Sequence, residues 1–260
     1  SFLTAVGFVF VGFAGLTKIA SVAEEVDNLE RNIPLGMVTA LLISLAVYVL
    51  VMIVLVGTVP PETLKGTLTP LTDSAQGFFG VPGKILLAFA AIIAFIASAN
   101  VGITAASRYP LAMSRDNLMA PAFKKLGRFG TPTNSILFTI SVMMLFIIVL
   151  SPEGIAKVAS AFKLLIFGLV NLAVVAMRES KIESYDPSFK SKFYPYPQII
   201  GILAPIVLIP FLGPIPLIFS GGIVVLGALW YFFYGQKRVK RSGAVTHVFQ
   251  RLGQAATPQL

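Results

Sequence analysis

Two lysines lie inside stretches that are otherwise apolar. Lys18 follows the run FLTAVGFVFVGFAGLT, and Lys163 lies in SAFKLLIFGLVN. A charged side chain in such a stretch indicates an ion site, a gate or a pathway, because its burial is costly. The alternative for each lysine is a long stem that carries the ammonium group to a watery surface. We expect Lys163 to lie about 12 Å deep in its helix, and we favour a gating or ion-site role for it.

The segment before Lys18 also contains glycines that can interrupt a helix. Gly12 and Gly15 lower the cost of leaving helical geometry, and Thr17 adds polarity just after them. In a bilayer, unwound backbone survives only where it is buried in protein or lines a watery cavity, and such breaks bind polar ligands. The alternative is that the two glycines only let helices pack closely. The predicted binding segment is the backbone of Val11, Gly12, Phe13, Ala14, Gly15 and Leu16.

Other polar side chains are candidates for gating or coupling, together with Thr17 and Lys18. Glu24 and Glu25 are adjacent, so they point about 100° apart on a helix and cannot act as a paired acid and base. We expect them to form a cytoplasmic gate or a structural ion network with arginines. Asn100 and Thr104 are four residues apart and share one helix face. They could line a pathway, but hydrogen bonding between helices is the favoured interpretation. Phe13 has two equal interpretations, a cover for the ligand or packing against lipid and core.

The composition argues against several kinds of chemistry. The chain has no cysteine, and its one histidine, His247, lies in a basic tail. We find no nucleophile paired with a base, no phosphate-binding loop and no metal-ligand spacing, so we predict neither an enzyme nor a cofactor or metal site. A net charge of +9 would suggest nucleic acid for a soluble protein, but the placement of the charges indicates a membrane protein and no nucleic-acid partner.

The elements that must position these residues are membrane helices. Hydrophobic residues make up 56% of the chain and charged residues 12%, against about 25% charged in soluble domains. We therefore predict an all-α integral membrane protein. The transmembrane region is residues 1–234, and 235–260 form a basic cytoplasmic tail that we expect to be disordered. Pro34 suits the first turn of the second helix, and the long loop after the second helix could dip back as a short helical hairpin. The seven candidate spans are Phe2–Ala23, Met37–Val59, Ile85–Ala106, Ile136–Leu150, Ile155–Met177, Ile199–Leu212 and Ile215–Phe233.

The basic residues concentrate in alternate loops. The loops after the first, third, fifth and seventh spans carry most of the lysine and arginine, whereas the other loops carry only Lys65, Lys84 and Lys157. By the positive-inside rule, the N-terminus of this chain lies outside and its C-terminus lies in the cytoplasm. The tail QKRVKR could also contact anionic lipid, although a solvated stop signal is the favoured interpretation.

Two longer motifs give the chain a family resemblance. The first is FVGFAGLTKIASVAEEVDNLERNIPLG and the second is LAMSRDNLMAP, which spans Leu111–Pro121. This resembles the amino acid–polyamine–organocation (APC) superfamily of permeases, in which the sixth helix reads roughly F-x-G-F-[DE] and then A-E-E, and the eighth is followed by Y-A-M-S-R-D-G-x-x-P. Thr17 departs from the family pattern, which often has an acid there. Because threonine does not titrate, proton coupling through this position is in doubt.

The resemblance implies that the seven spans correspond to helices six to twelve of a fold with two inverted repeats of five helices. It places the substrate between helices one and six. The expected function is therefore secondary transport of an amino acid or related amine across the plasma membrane, as part of a longer permease. A proton gradient or exchange of substrates would drive transport, and sodium is less favoured. The alternative is a non-transporting partner or sensor module, or an inactive half-transporter that needs a separate chain with the missing helices one to five.

Overall fold

A computed structural model describes residues 2–13, 15, 26–128, 130–180, 191, 193–236 and 238. The chain divides into two compact units. One unit combines Ser1–Gly15 with Tyr109–Leu260, and the other is Leu16–Arg108. We call them the terminal unit and the middle unit and describe each by itself.

Each of the seven predicted spans contains an apolar helix in the described part of the chain. Four helical segments are long and apolar enough to cross a membrane: Leu29–Thr58, Pro70–Arg115, Pro152–Ser180 and Pro214–Gly235. Three shorter apolar segments are Phe2–Phe13, Thr133–Val149 and Tyr196–Phe211. The prediction of an all-α membrane protein is thus confirmed. The α-helices are α1 (Phe2–Val9), α2 (Leu29–Thr58), α3 (Pro61–Gly66), α4 (Pro70–Arg115), α5 (Thr133–Val149), α6 (Pro152–Ser180), α7 (Tyr196–Phe211) and α8 (Pro214–Trp230).

In the middle unit, α2 begins five residues before Pro34. Asn28 adopts a left-handed conformation with φ 49° and ψ 54°, and the amides of Arg31 and Asn32 donate to its carbonyl oxygen. The Asn32 side chain donates to the Asp27 carbonyl at 2.6 Å. Our expectation that Pro34 lies in the first turn is therefore wrong. The hydrogen-bonded turn at Asn28 starts the helix upstream and leaves Pro34 inside it.

The predicted loop after α2 is largely helical. It contains α3 and the first arm of α4, residues 70–79, and α4 then bends at Gly80, where φ is 63° and ψ is −156°. After the bend, Lys84 reaches back to the first arm, with its Nζ 3.0 Å from Gln76 Oε1 and 3.8 Å from Asp73 Oδ1. The two arms of α4 are close together at Gly83, where an added Cβ would lie 2.9 Å from the carbonyl oxygen of Ala75 in the first arm. The bend therefore folds the first arm against the start of the second.

In the terminal unit, the core lies where α1, α6 and α7 meet. Helices α6 and α7 pack against each other more extensively than any other pair of elements described, and α1 contacts both. Lipid tails are as apolar as the side chains, so the hydrophobic effect does not drive helices together in a membrane. Helices there associate through close packing. Small residues permit this at two points, Gly168 against Pro205 and Gly201 against Asn171. The buried side chains are Ala161, Leu164, Leu208, Ile209 and Leu212, with Leu3, Phe8, Phe10, Leu165 and Ala204 packed around them.

The LAMSRDNLMAP motif forms an ordered end to α4. The Leu118 amide donates to the Met113 carbonyl at 2.8 Å, and Asn117 has a left-handed φ of 61°. This is the hydrogen-bond pattern that ends helices with glycine or asparagine, so Asn117 can replace the glycine of the family pattern. The buried Ser114 hydroxyl donates to the Ala120 carbonyl at 2.8 Å, and Trp230 Nε1 donates to the Leu118 carbonyl at 2.8 Å. The motif is therefore fixed to the end of α8.

Candidate functional site

The first apolar segment loses α-helical geometry within its length. Helix α1 ends at Val9, a 3₁₀ helix covers Phe10–Phe13, and Gly15 lies in a turn. The side chains of Val11 and Phe13 are half-buried, whereas Gly12 and Gly15 are exposed. A change from α to 3₁₀ winding alters the hydrogen-bond partners of the backbone, and mid-helix 3₁₀ stretches often mark hinges or functional sites.

A serine from α6 makes hydrogen bonds to the backbone where α1 changes to the 3₁₀ helix. The Val11 amide donates to Ser160 Oγ at 3.1 Å, and the Ser160 hydroxyl donates to the Phe8 carbonyl at 2.9 Å. Ser160 has an exposed fraction of 0%. Sequence reasoning missed this residue, because it lies 149 positions from Val11 and an isolated serine in an apolar helix carries no local signal.

Aromatic and apolar contacts hold the same region to α6. The rings of Phe10 and Phe167 meet edge to face, with centroids 5.4 Å apart. Lys163 lies on α6 between the buried residues Ala161 and Leu164 and is itself half-buried. Helix α6 begins at Pro152, three residues earlier than the apolar run, so Lys163 lies about 16 Å along the helix instead of 12 Å.

The remaining predicted site residues fall into two groups. Asn100 and Thr104 belong to α4 in the middle unit, and both side chains are exposed. The backbone carbonyl of Thr104 accepts a hydrogen bond from the Ser107 hydroxyl at 2.9 Å. The other candidates lie outside the described residues: Ala14, Leu16, Thr17, Lys18, Glu24 and Glu25.

The arrangement at the end of α1 suits recognition through the backbone. The carbonyl end of a helix carries partial negative charge, which attracts ammonium groups. The exposed stretch at Gly12 and Gly15 has no Cβ to block approach. Among the described residues, no group of three or more histidine, cysteine, aspartate or glutamate side chains could hold a metal ion. The main chain at Gly12 and Gly15 is thus accessible from outside the packed helices.

The described part of the chain thus defines a class of protein, a polytopic α-helical membrane protein with an interrupted helix. A family model for amino acid permeases matches residues 1–239. The chain therefore belongs to the amino acid permease family, as the two motifs predict.

Several relatives found by sequence comparison are named as permeases or transporters. The chain is 26% identical over 239 residues to the branched-chain amino acid permease BcaP of Lactococcus lactis, covering 91% of this chain and 51% of the relative. It is 26% identical to the methylthioribose transporter of Bacillus subtilis, covering 88% of this chain and 50% of the relative. It is 31% identical to the vacuolar cationic amino acid transporter 4 of Arabidopsis thaliana, covering 65% of this chain and 28% of the relative. No solved structure matches the chain significantly. The chain spans about half the length of the first two relatives.

Proposed function

We propose that this chain is part of a secondary transporter that carries an amino acid or a related amine across the plasma membrane. The observation that carries the proposal is the interruption of the first apolar segment after Val9, in a chain that belongs to the amino acid permease family. The names of the relatives support this substrate class, since two of them are named for transport of branched-chain and cationic amino acids.

The substrate binds at the backbone of residues 11–16. Its ammonium group lies just after the carbonyl end of α1, at Phe10 and Val11, where the helix dipole favours positive charge. Phe13 lies beside the substrate side chain, and its half-buried position is compatible with this role. The specificity for one side chain also depends on elements beyond this chain, which include helices one to five of the family fold.

Transport is driven by a proton gradient or by exchange, and sodium is the weaker alternative. Thr17 does not titrate, so a coupled proton binds elsewhere than at this position. The candidates in the described part of the chain for a coupling or gating role are Lys163 on α6 and Asn100 and Thr104 on α4. The chain lies in the membrane with its N-terminus outside and its C-terminus in the cytoplasm, in accord with its basic loops.

Uptake into liposomes tests the proposal. The entire polypeptide that the gene encodes is purified, reconstituted and given radiolabelled leucine, lysine or methylthioribose under an imposed proton gradient, under a sodium gradient, or with unlabelled amino acid inside. We expect amino acid uptake that depends on the proton gradient or on the internal amino acid. Absence of amino acid uptake under all three conditions, from protein that remains folded, would favour the non-transporting partner or sensor.

A further inference from the structure

We infer that Ser160 is a positioning residue that holds the interruption of α1 in place and couples it to α6. The inference rests on the proposed function for its effect on transport. Its structural part depends only on the contacts between α1 and α6.

The Ser160 hydroxyl replaces helical hydrogen bonds on both sides of the interruption. In a continuous α-helix, the Phe8 carbonyl would accept from the Gly12 amide, and the Val11 amide would donate to the Gly7 carbonyl. Here, Ser160 Oγ donates to the Phe8 carbonyl and accepts from the Val11 amide. A hydroxyl has one donor and two acceptor positions, so it can make both bonds at the same time.

Burial makes this hydroxyl difficult to replace. Ser160 is 0% exposed, and the side chains of Ala161 and Leu164 beside it are also buried. Water cannot readily replace the hydroxyl at a buried position in a bilayer. Each backbone group left without a hydrogen-bond partner there destabilises the local conformation. The change of winding at Phe10–Phe13 therefore depends on a side chain from another helix.

The same contacts make α1 and α6 move together. The Phe10 ring lies against Phe167, seven positions after Ser160 and thus about two turns further along α6. Phe8 and Phe10 also pack against the buried cluster of α6 and α7. A displacement of α6 at Ser160 is thus passed directly to the Phe8 carbonyl and to the amide of Val11, the first residue of the proposed binding segment.

The test compares two buried serines in the entire encoded polypeptide. The first variant is Ser160→Ala. The matched control is Ser135→Ala, because Ser135 is also 0% exposed and donates to a distant carbonyl, that of Phe123 at 3.1 Å, but lies on α5. Hydrogen exchange measured by mass spectrometry follows the peptide that covers residues 8–15, and liposome uptake gives KM and the maximal rate separately.

For Ser160→Ala, we expect faster hydrogen exchange of the backbone amides in residues 8–15. We also expect the KM for uptake to rise about tenfold, the size of effect that the loss of a buried hydrogen bond implies. The maximal rate and the exchange of α8 should stay close to the parent values. Ser135→Ala should change neither KM nor the exchange of residues 8–15. Unchanged exchange in Ser160→Ala, or the same changes in both variants, would overturn the inference.

Two further results keep the outcomes distinct. If the parent protein shows no uptake, the proposed function fails, but the exchange of residues 8–15 still decides whether Ser160 holds the interruption. If Ser160→Ala does not fold, Ser160→Cys takes its place, because a thiol is similar in shape and a weaker donor and acceptor. We then expect an intermediate rise in exchange and KM, and parent-like values for both would contradict the role of the hydroxyl.

Discussion

The chain interrupts its α-helices by two different means. In the terminal unit, α1 gives way to a 3₁₀ helix at residues whose φ angles are not left-handed, and Ser160 on another helix supplies the missing hydrogen bonds. In the middle unit, α4 bends at Gly80 because glycine alone adopts a φ of 63° with a ψ of −156° readily. The first interruption depends on a partner, and the second depends on the residue at the bend.

This difference affects what each interruption can do. A bend fixed by glycine is local, and its geometry is set by two dihedral angles. An interruption held by a hydroxyl on α6 responds to the position of that helix, since a small displacement of Ser160 changes the geometry of both hydrogen bonds. The terminal unit is therefore the better candidate for the part that changes conformation with the substrate.

The largest expected effect on transport tests whether α6 does more than hold α1. Lys163→Met should lower amino acid uptake about tenfold, equivalent to about 1.4 kcal/mol, without lowering expression, because it removes the charge from an apolar helix. Uptake and the amount of folded protein are measured on the same liposomes.

The control for this experiment is Lys157→Met on the same helix. Lys157 pairs with Glu153 at 2.6 Å near the start of α6, so its loss should leave uptake nearly unchanged. Parent-like uptake by Lys163→Met would show that α6 serves the site through packing and Ser160 only.

The next effect, on stability, tests whether the bend in α4 needs glycine at position 80. Gly80→Ala should destabilise the protein by about 1–3 kcal/mol, because a Cβ is strained at this combination of angles. Thermal unfolding in detergent measures the loss. Gly77→Ala, three residues earlier, adds a Cβ in open space inside the helix and should be neutral or slightly stabilising. Equal stability of the two variants would mean that the bend does not need glycine.

A smaller effect is expected from the lysine that spans the bend. Lys84→Gln removes an ion pair with Asp73 whose side chains are 46% and 24% exposed. Exposed pairs of this kind contribute about 0–1 kcal/mol and weaken in salt. Thermal unfolding at low and high salt should show a small loss that high salt reduces. A loss as large as that of Gly80→Ala would mean that the lysine, more than the glycine, fixes the bend.

The smallest effect is expected at the interruption of α1. Gly15→Ala should change the free energy of unfolding by less than about 0.5 kcal/mol, because an added Cβ meets no atom within 4 Å and φ is not left-handed. The same thermal unfolding measurement applies. A loss of stability comparable to that of Gly80→Ala would show that both interruptions depend on glycine, and that they do not differ in the way described.

Local patterns predicted the elements better than their contacts. The apolar runs located the seven apolar helical segments of the described residues, and the LAMSRDNLMAP motif indicated the family, because both signals lie within short stretches of sequence. The pairing of Ser160 with Phe8 and Val11 could not be predicted, since nothing in the sequence of one helix specifies which helix packs against it. The loop after α2 was expected to form a short helical hairpin, but the sequence did not indicate that its last arm continues into α4 through the bend at Gly80. Pro34 misled the assignment of the start of α2, because the turn at Asn28 has no hydrophobic signal.

The bond between α8 and the end of α4 has a spectroscopic consequence. Trp230 is the only tryptophan in the 260 residues. Its indole nitrogen donates to the Leu118 carbonyl, and its ring stacks on Tyr234 with centroids 4.9 Å apart. Indole emission depends on the polarity and hydrogen bonding of its surroundings, so this chain contains its own optical probe. A change in the emission wavelength on addition of a substrate would report movement of the LAMSRDNLMAP motif relative to α8 without any attached dye.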